Sequence, residues 1–292
     1  MNKMKRSTVN TIVNRIVQLV FFLLAPDIYV TCFNGVKYIA TQMGNAAVIE
    51  VTPFVAVMVT MLIYTFIFGI FFCGYACAFG FLGDVVYDAS EAVQKKAFGK
   101  AWQIPPAVRS MLMKVKYVIL AAVFVLCMLG MYGKVSGYDP WEVFGSFRAL
   151  DFTLTGKTAG FMVLLAIMIG MAAVRRFFCI FLCPMGAVFS LMPVIPFSVM
   201  SRKPEKCVGK CHMCEHVCPT GYFSSDDTEG LEFLGRNTGE GECICCSRCA
   251  AVCPACNAGH WKPEGRRGNE WYVVLIKAAV LFAAVKAAVA LF

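Results

Sequence analysis

Several long stretches of this chain carry no charge at all. Phe54 to Phe72, Tyr117 to Tyr132 and Thr158 to Val174 are uncharged throughout, and Trp271 to Phe292 is interrupted only by Lys277 and Lys286. A bilayer-spanning helix needs about 20 predominantly apolar residues, so each stretch predicts a span. A fifth begins at Ile16 and meets Pro26 and Asp27 early. It either continues through a proline kink to about Ile39, leaving Asp27 inside the membrane or at its edge, or stops and resumes along the outer interface. No small-residue cleavage site follows the basic start of the chain, so this first segment reads as a retained anchor.

Polar positions orient the spans. Lys3, Lys5, Arg6 and Arg15 precede the first one, and Lys95, Lys96, Lys100, Arg109, Lys114 and Lys116 cluster in the loop after the second. The outer loops hold fewer basic residues: Lys37 in one, then Lys134, Arg148 and Lys157 in the other. The positive-inside rule then places the N-terminus, the 84–116 loop and the polar segment Met200–Glu270 in the cytoplasm. The expected fold is mainly α. It is a polytopic helical membrane domain of about five spans, with a small cytoplasmic dicluster, ferredoxin-like α+β domain. The expected division is 1–200 for the membrane domain, 201–269 for the soluble domain and 270–292 for a C-terminal span.

Composition fits this division. The chain is 59% hydrophobic and 15% charged, more apolar than one soluble core can hide. Its net charge of +9 follows from topology and attraction to anionic lipid, and requires no nucleic-acid partner. The membrane domain also repeats itself. Phe71-Phe72-Cys73-Gly74-Tyr75-Ala76-Cys77-Ala78-Phe79-Gly80 aligns with Phe177-Phe178-Cys179-Ile180-Phe181-Leu182-Cys183-Pro184-Met185-Gly186. Both phenylalanines, both cysteines and the glycine match, and each copy follows an apolar run heading for the cytoplasm. The expectation is two parallel repeats about an axis along the membrane normal.

Cysteine supplies the chemistry. Ten of the sixteen cysteines lie between Cys207 and Cys256, in a segment that charge assigns to the reducing cytoplasm. Metal ligation is the expected use there, not disulfides. Cys243-x2-Cys246-x2-Cys249-x3-Cys253-Pro254 has the bacterial ferredoxin spacing, and Cys207-x3-Cys211-x2-Cys214-x3-Cys218-Pro219 is the same with one residue added. By the crossing rule of such motifs, Cys207, Cys211, Cys214 and Cys253 hold one [4Fe-4S] cluster, and Cys243, Cys246, Cys249 and Cys218 the other. Cys245 and Cys256 are left as spare thiols or alternate ligands. Zinc is the rival occupant of four-cysteine sites. The Cys207-to-His212 stretch is also a lengthened relative of a haem attachment pattern. His212 and His216 are either surface residues or a helical pair.

The remaining cysteines divide in two. Cys32 and Cys127 read as small buried hydrophobes. Cys73 with Cys77, and Cys179 with Cys183, are spaced to share a helical face. The repeat raises the expectation that these four hold a third iron–sulfur centre at the membrane edge, the alternative being buried thiols or redox dithiols. Arg175 and Arg176 either favour the thiolate forms or anchor the span end.

Phe-Phe-Cys-x3-Cys-x2-Gly at the ends of two spans, followed by paired Cys-x2-Cys-x3-Cys-Pro motifs, resembles the polyferredoxin-type membrane iron–sulfur proteins of the NapH, NosR and CcoG kind. The likeness covers about Thr52 to Pro254. Cys183-Pro184 keeps that family's Cys-Pro ending, whereas Ala78 follows Cys77. The chain lacks the outer flavin domain of the NosR type and adds a C-terminal span to the four-span NapH plan. The resemblance implies a subunit of the inner membrane that passes electrons between the quinone pool, or a membrane flavin, and a reductase complex. Its partners would be a flavoprotein, cytochrome or reductase. The competing reading is a maturation or regulatory factor of the CcoG or NosR kind, reducing a metal or a thiol. An ion-translocating pump would need ionisable groups inside the spans, and only Asp27, Lys277 and Lys286 qualify; the two lysines are expected to snorkel to the interfaces. No nucleotide-binding loop, catalytic triad or haem-ligating pair is evident, so no catalytic residue is assigned.

Overall fold

Backbone without water to bond to has to satisfy itself internally, and helix is the local way to do so. The computed structural model is mainly helical and describes residues 3–99, 104–135, 143–144, 158–194, 200–202, 213–220, 242–253, 258–260 and 270–291. Helix α1 (Lys3–Leu24) ends where Pro26 removes a backbone donor, and α2 (Ile28–Gly44) begins just after. The break expected at Pro26 is therefore present, with Asp27 exposed in it. Helix α3 (Pro53–Phe68) starts on a proline, suited to the first helical turn. It is followed by the short α4 (Phe71–Tyr75) and the long α5 (Ala78–Phe98). Then come α6 (Pro106–Met113), α7 (Val115–Met128) and α8 (Tyr132–Val135). Helix α9 (Thr158–Ala173), a π-helical turn (Phe178–Leu182) and α10 (Pro184–Leu191) repeat the α3–α5 pattern. The cysteine-rich part contributes β1 (Met200–Arg202), α11 (Met213–Val217), α12 (Arg248–Val252) and β2 (Ala258–His260), and α13 (Glu270–Ala290) closes the chain.

By contacts the chain falls into two compact units. The first comprises Met1–Ile28, Val59–Phe81 and Val188–Phe292. Within it α1 packs on α4, α12 and α13. Phe21 of α1 meets Phe282 of α13 edge to face at 6.2 Å between ring centroids, an arrangement favoured by the ring quadrupoles. The Tyr64 hydroxyl donates to the Lys277 carbonyl at 2.9 Å. The Lys277 ammonium donates in turn to the Phe68 carbonyl at 3.3 Å. Lys277 is buried, so its ammonium is held by protein. The last carbonyls of a helix are orphaned and carry partial negative charge, and Phe68 ends α3, which gives the cation a partner in place. Strands β1 and β2 pair antiparallel, Met200 opposite His260 and Arg202 opposite Ala258. Among the described residues this two-stranded ribbon is the sheet structure.

The second unit comprises Tyr29–Met58 and Leu82–Ala187. Here α7 packs on α6, α8 and the π turn, and α9 also touches the π turn. The ammonium of Lys37 lies 4.9 Å from the Phe33 ring centroid and 4.8 Å from that of Tyr132, a cation–π clasp. Gly44 ends α2 against the backbone of Met128, where a side chain would collide with the carbonyl.

Each expected span falls on an apolar helix, but length separates them. Val108–Met128 and Trp271–Ala290 are long and apolar enough to cross a bilayer, and Thr11–Leu24 with Ile28–Gly44 make a third if the broken pair counts as one span. Pro53–Phe68 and Thr158–Ala173 are apolar but shorter. They are cut short because the chain turns to present the two cysteine copies. Gly69 ends α3 with φ +76°, and Arg176 follows α9 with φ +60°.

Candidate metal centre

The second cysteine motif is a tight loop leading into α12. Cys245 and Ser247 both adopt left-handed backbone, at φ +50° and +55°, at a cost of about 1–3 kcal/mol each for non-glycine residues. Such strain persists only where surrounding structure enforces it. The loop curls so that Cys249 is buried beside Ala250, with Cys214, Cys243 and Cys253 packed against them. Helix α11, which carries Cys214, packs on α12, which carries Cys249. The sulfur of Cys218 lies 3.4 Å from the Thr220 hydroxyl.

Burial pushes the Cys249 thiol well above its ordinary range, and the neighbouring Cys246, Cys218 and Cys214 add to the shift. Cys243 is raised in the same direction, chiefly by its hydrogen bond with Cys245 and then by burial. A nest of thiols this enclosed ionises only together with a compensating cation, because buried charge has to be paired. The donor set thus fits an iron–sulfur cluster, in which thiolate sulfurs ligate iron. Cys214, Cys218, Cys243, Cys246, Cys249 and Cys253 are all among the described residues. Cys207 and Cys211, and with them Cys256 and His212, lie outside. Among the described residues no three histidine, cysteine or carboxylate side chains close around a single ion.

The membrane-edge copies are alike in backbone as well as in sequence. Cys77 donates its N–H to the Phe72 carbonyl at 3.0 Å, and Cys183 donates to Phe178 at 2.9 Å. Both are five-residue closures, wider than an α-helical turn. In each copy the first cysteine lies in the short helical element, α4 or the π turn, and the second comes just after it, immediately before the next helix. In both copies that second cysteine accepts the N–H four residues on, from Phe81 to Cys77 and from Ala187 to Cys183. Cys73, Cys77, Cys179 and Cys183 are all buried. The first two belong to the first unit and the last two to the second.

In the second copy, the Cys183 sulfur receives the Gly186 N–H at 3.2 Å and lies 3.8 Å from the Tyr29 hydroxyl. The matched glycine has a packing reason as well: a Cβ on Gly186 would come within 3.0 Å of the Cys179 carbonyl. Arg175 and Arg176 are held by acids of α5. Arg176 pairs with Asp84 at 2.6 Å, both buried. Arg175 reaches Asp88 at 2.6 Å and Glu91 at 3.1 Å, and lies 4.4 Å from the Tyr87 ring. Glu91 is partly desolvated, but the hydrogen bond from Lys95 and the charges of Lys95 and Arg175 outweigh this and hold its carboxyl below the usual range. The arginines are structural anchors with carboxylate partners, which their basic character alone did not disclose.

Sequence reasoning also missed Gly74 and Gln18. A Cβ on Gly74 would run into the Ile244 carbonyl and lie 3.5 Å from the Cys246 backbone. The Gly74 carbonyl accepts a buried hydrogen bond from the Gln18 amide at 2.9 Å. The available signal was the mismatch of Gly74 with Ile180 between otherwise matching copies.

Known proteins agree with this chemistry. The family described as a 4Fe-4S binding domain matches residues 51–105 and 157–203, the two segments that hold Cys73 with Cys77 and Cys179 with Cys183. The chain is 26% identical to the uncharacterised protein MJ0749 of Methanocaldococcus jannaschii over 83% of both chains. It is 26% identical to the ferredoxin-type protein NapH of Haemophilus influenzae, over 62% of this chain and 58% of that one. To the regulatory protein NosR of Pseudomonas aeruginosa it is 25% identical over 50% of this chain, which spans only 20% of NosR. No solved structure matches.

Proposed function

Since the chain is a NapH/NosR-like, polyferredoxin-type iron–sulfur protein, we propose that it is an electron-transfer subunit of the inner membrane, relaying electrons between the quinone pool or a membrane flavin and a reductase complex. The observation that carries this reading is the seating of the cysteine nest. Helix α12, with Cys249, packs on α1, and α1 packs in turn on α13, one of the helices long and apolar enough to span a bilayer. Ligand-bearing loop and membrane-type helix thus belong to one compact unit.

Two [4Fe-4S] clusters fit the eight ferredoxin-spaced cysteines: one on Cys207, Cys211, Cys214 and Cys253, the other on Cys243, Cys246, Cys249 and Cys218. Bound there, they accept and donate single electrons. Among the described ligands, Cys249 is buried and Cys214, Cys243 and Cys253 pack against it, while the contact of α12 with α1 ties this loop to the apolar helices of its unit. Cys73 with Cys77, and Cys179 with Cys183, lie in the two segments that the family model matches and are proposed as further iron–sulfur ligands. The five proposed spans follow from the uncharged apolar runs, and the cytoplasmic side of the 201–269 domain from the lysine and arginine distribution.

Iron and acid-labile sulfide analysis with electron paramagnetic resonance, on protein purified anaerobically in detergent, tests the reading. About eight irons per chain are expected from two four-iron clusters, and more if the membrane-edge cysteines also bind. Cys246→Ser and Cys249→Ser should each remove one cluster and its signal. Unchanged iron and unchanged spectra in both variants would refute the assignment. NosR is named a regulatory protein. Accordingly, clusters that form normally but take no electrons from a quinol would turn the reading toward a regulatory or maturation factor.

A further inference from the structure

Resting on the electron-transfer reading above, we infer that the second cysteine motif exchanges electrons with the membrane domain through the first repeat copy, and that Gly74 is the positioning residue that sets this contact. The argument begins with a difference between the copies. They share both phenylalanines, both cysteines and the closing glycine, yet Gly74 in one stands where Ile180 stands in the other. Ile180 is buried in its own unit, so the position tolerates a large side chain in that copy. At Gly74 even a methyl group meets the Ile244 carbonyl, with the nitrogen and Cα of Cys246 at 3.5 Å. Ile244 and Cys246 belong to the loop of the second motif, and Cys246 is one of its ligands. Gly74 is the neighbour of Cys73. The missing side chain is what lets the ligand loop lie directly on the cysteine-bearing turn.

Three further contacts in the same unit brace this arrangement. The Gln18 amide holds the Gly74 carbonyl from α1, and α1 packs on both α4 and α12. Gly69, at φ +76°, faces the sulfur of Cys245, which would lie 3.1 Å from a Cβ there. Cys245 is almost fully buried. The extra cysteine of the motif therefore seats the loop against the end of α3, which accounts for a residue that the ligand pattern leaves over. Two glycines and one non-ligand cysteine thus fit the loop to the first copy. Close approach is what electron transfer requires: a quinol at the membrane releases two electrons and two protons, the electrons pass singly, and no protein bond forms or breaks.

The test uses the full chain in nanodiscs, comparing wild type with Gly74→Ala, Gly74→Ile and Cys245→Ala, and with Gly83→Ala as a control glycine, where an added Cβ meets only Met171 at 3.4 Å. Iron content, g values, reduction by dithionite from water and reduction by duroquinol from the bilayer are measured for each. Expected is full iron content with unchanged dithionite reduction in Gly74→Ala. Its duroquinol reduction should be slowed several-fold, because electron transfer weakens steeply as two redox sites are pushed apart, with shifted g values for the cluster on Cys246. Gly74→Ile should go further in the same direction, and Gly83→Ala should match wild type. Cys245→Ala should keep its iron, and loss of iron there would make Cys245 a ligand and overturn its seating role. If Gly74→Ile fails to fold, Gly74→Ala decides alone. Wild-type rates and an unchanged spectrum in that variant overturn the inference. If duroquinol does not reduce even the wild type, the quinol reading falls, and the g values of Gly74→Ala still decide whether the loop rests on this residue.

Discussion

Asp84 shows how much a single side chain can hold in place. It sits one helical turn above Asp88 on α5, is buried, and pairs with an equally buried Arg176 at 2.6 Å. A buried ion pair adds little over apolar packing, but losing one partner strands the other charge, typically at about 3–5 kcal/mol. Asp84→Asn should therefore lower thermal stability in detergent by that order and loosen the left-handed turn at Arg176. Asp88→Asn, whose acid is 43% exposed on its side chain, should cost about 1 kcal/mol or less. Equal midpoints for the two variants, by differential scanning fluorimetry, would show that burial is not what distinguishes them.

Among the elements, the informative ones are those that end early. Helices α3 and α9 are shorter than the apolar stretches Val108–Met128 and Trp271–Ala290 because each stops before a wide turn, closed by Cys77 on Phe72 and by Cys183 on Phe178. π-type turns are rare and concentrate at functional sites. Here they place the second cysteine of each pair ahead of a new helix. Helix α2 ends by a different device, with Gly44 resting on the Met128 backbone at the end of α7. Gly to Ala in a helix ordinarily stabilises; here the added methyl would collide with a carbonyl, so the sign reverses. Gly44→Ala should destabilise by about 1–3 kcal/mol, the usual cost of overpacking, seen as a lower midpoint in the same assay. A raised midpoint would mean that the α2–α7 contact is not tight.

At the level of the molecule, the distribution of charge makes a prediction about sidedness. Basic residues gather at the N-terminus and between Lys95 and Lys116, and this asymmetry orients membrane proteins. Reporter fusions after Gly133 should be periplasmic, and those after Lys100 or Arg236 cytoplasmic. A periplasmic reporter at Arg236 would move the cysteine-rich segment to the other compartment and change the partners available to it.

The sequence by itself determined what depends on local pattern and on residue chemistry: the apolar runs, the break at Pro26, the repeated Phe-Phe-Cys-x3-Cys element and the ferredoxin-type spacing of Cys243, Cys246, Cys249 and Cys253. Uncharged length dictates helix where backbone lacks water, and thiolate spacing is a property of the cluster it has to wrap. Only the tertiary structure decided which distant groups meet. Lys277 finds the Phe68 carbonyl, Arg176 finds Asp84, and the Ile244–Cys246 loop finds the bare backbone at Gly74. These pairings join residues far apart in the chain, and each depends on how close two backbones come. Spacing along one strand of sequence carries no record of that distance, except where a glycine replaces an isoleucine in a repeat.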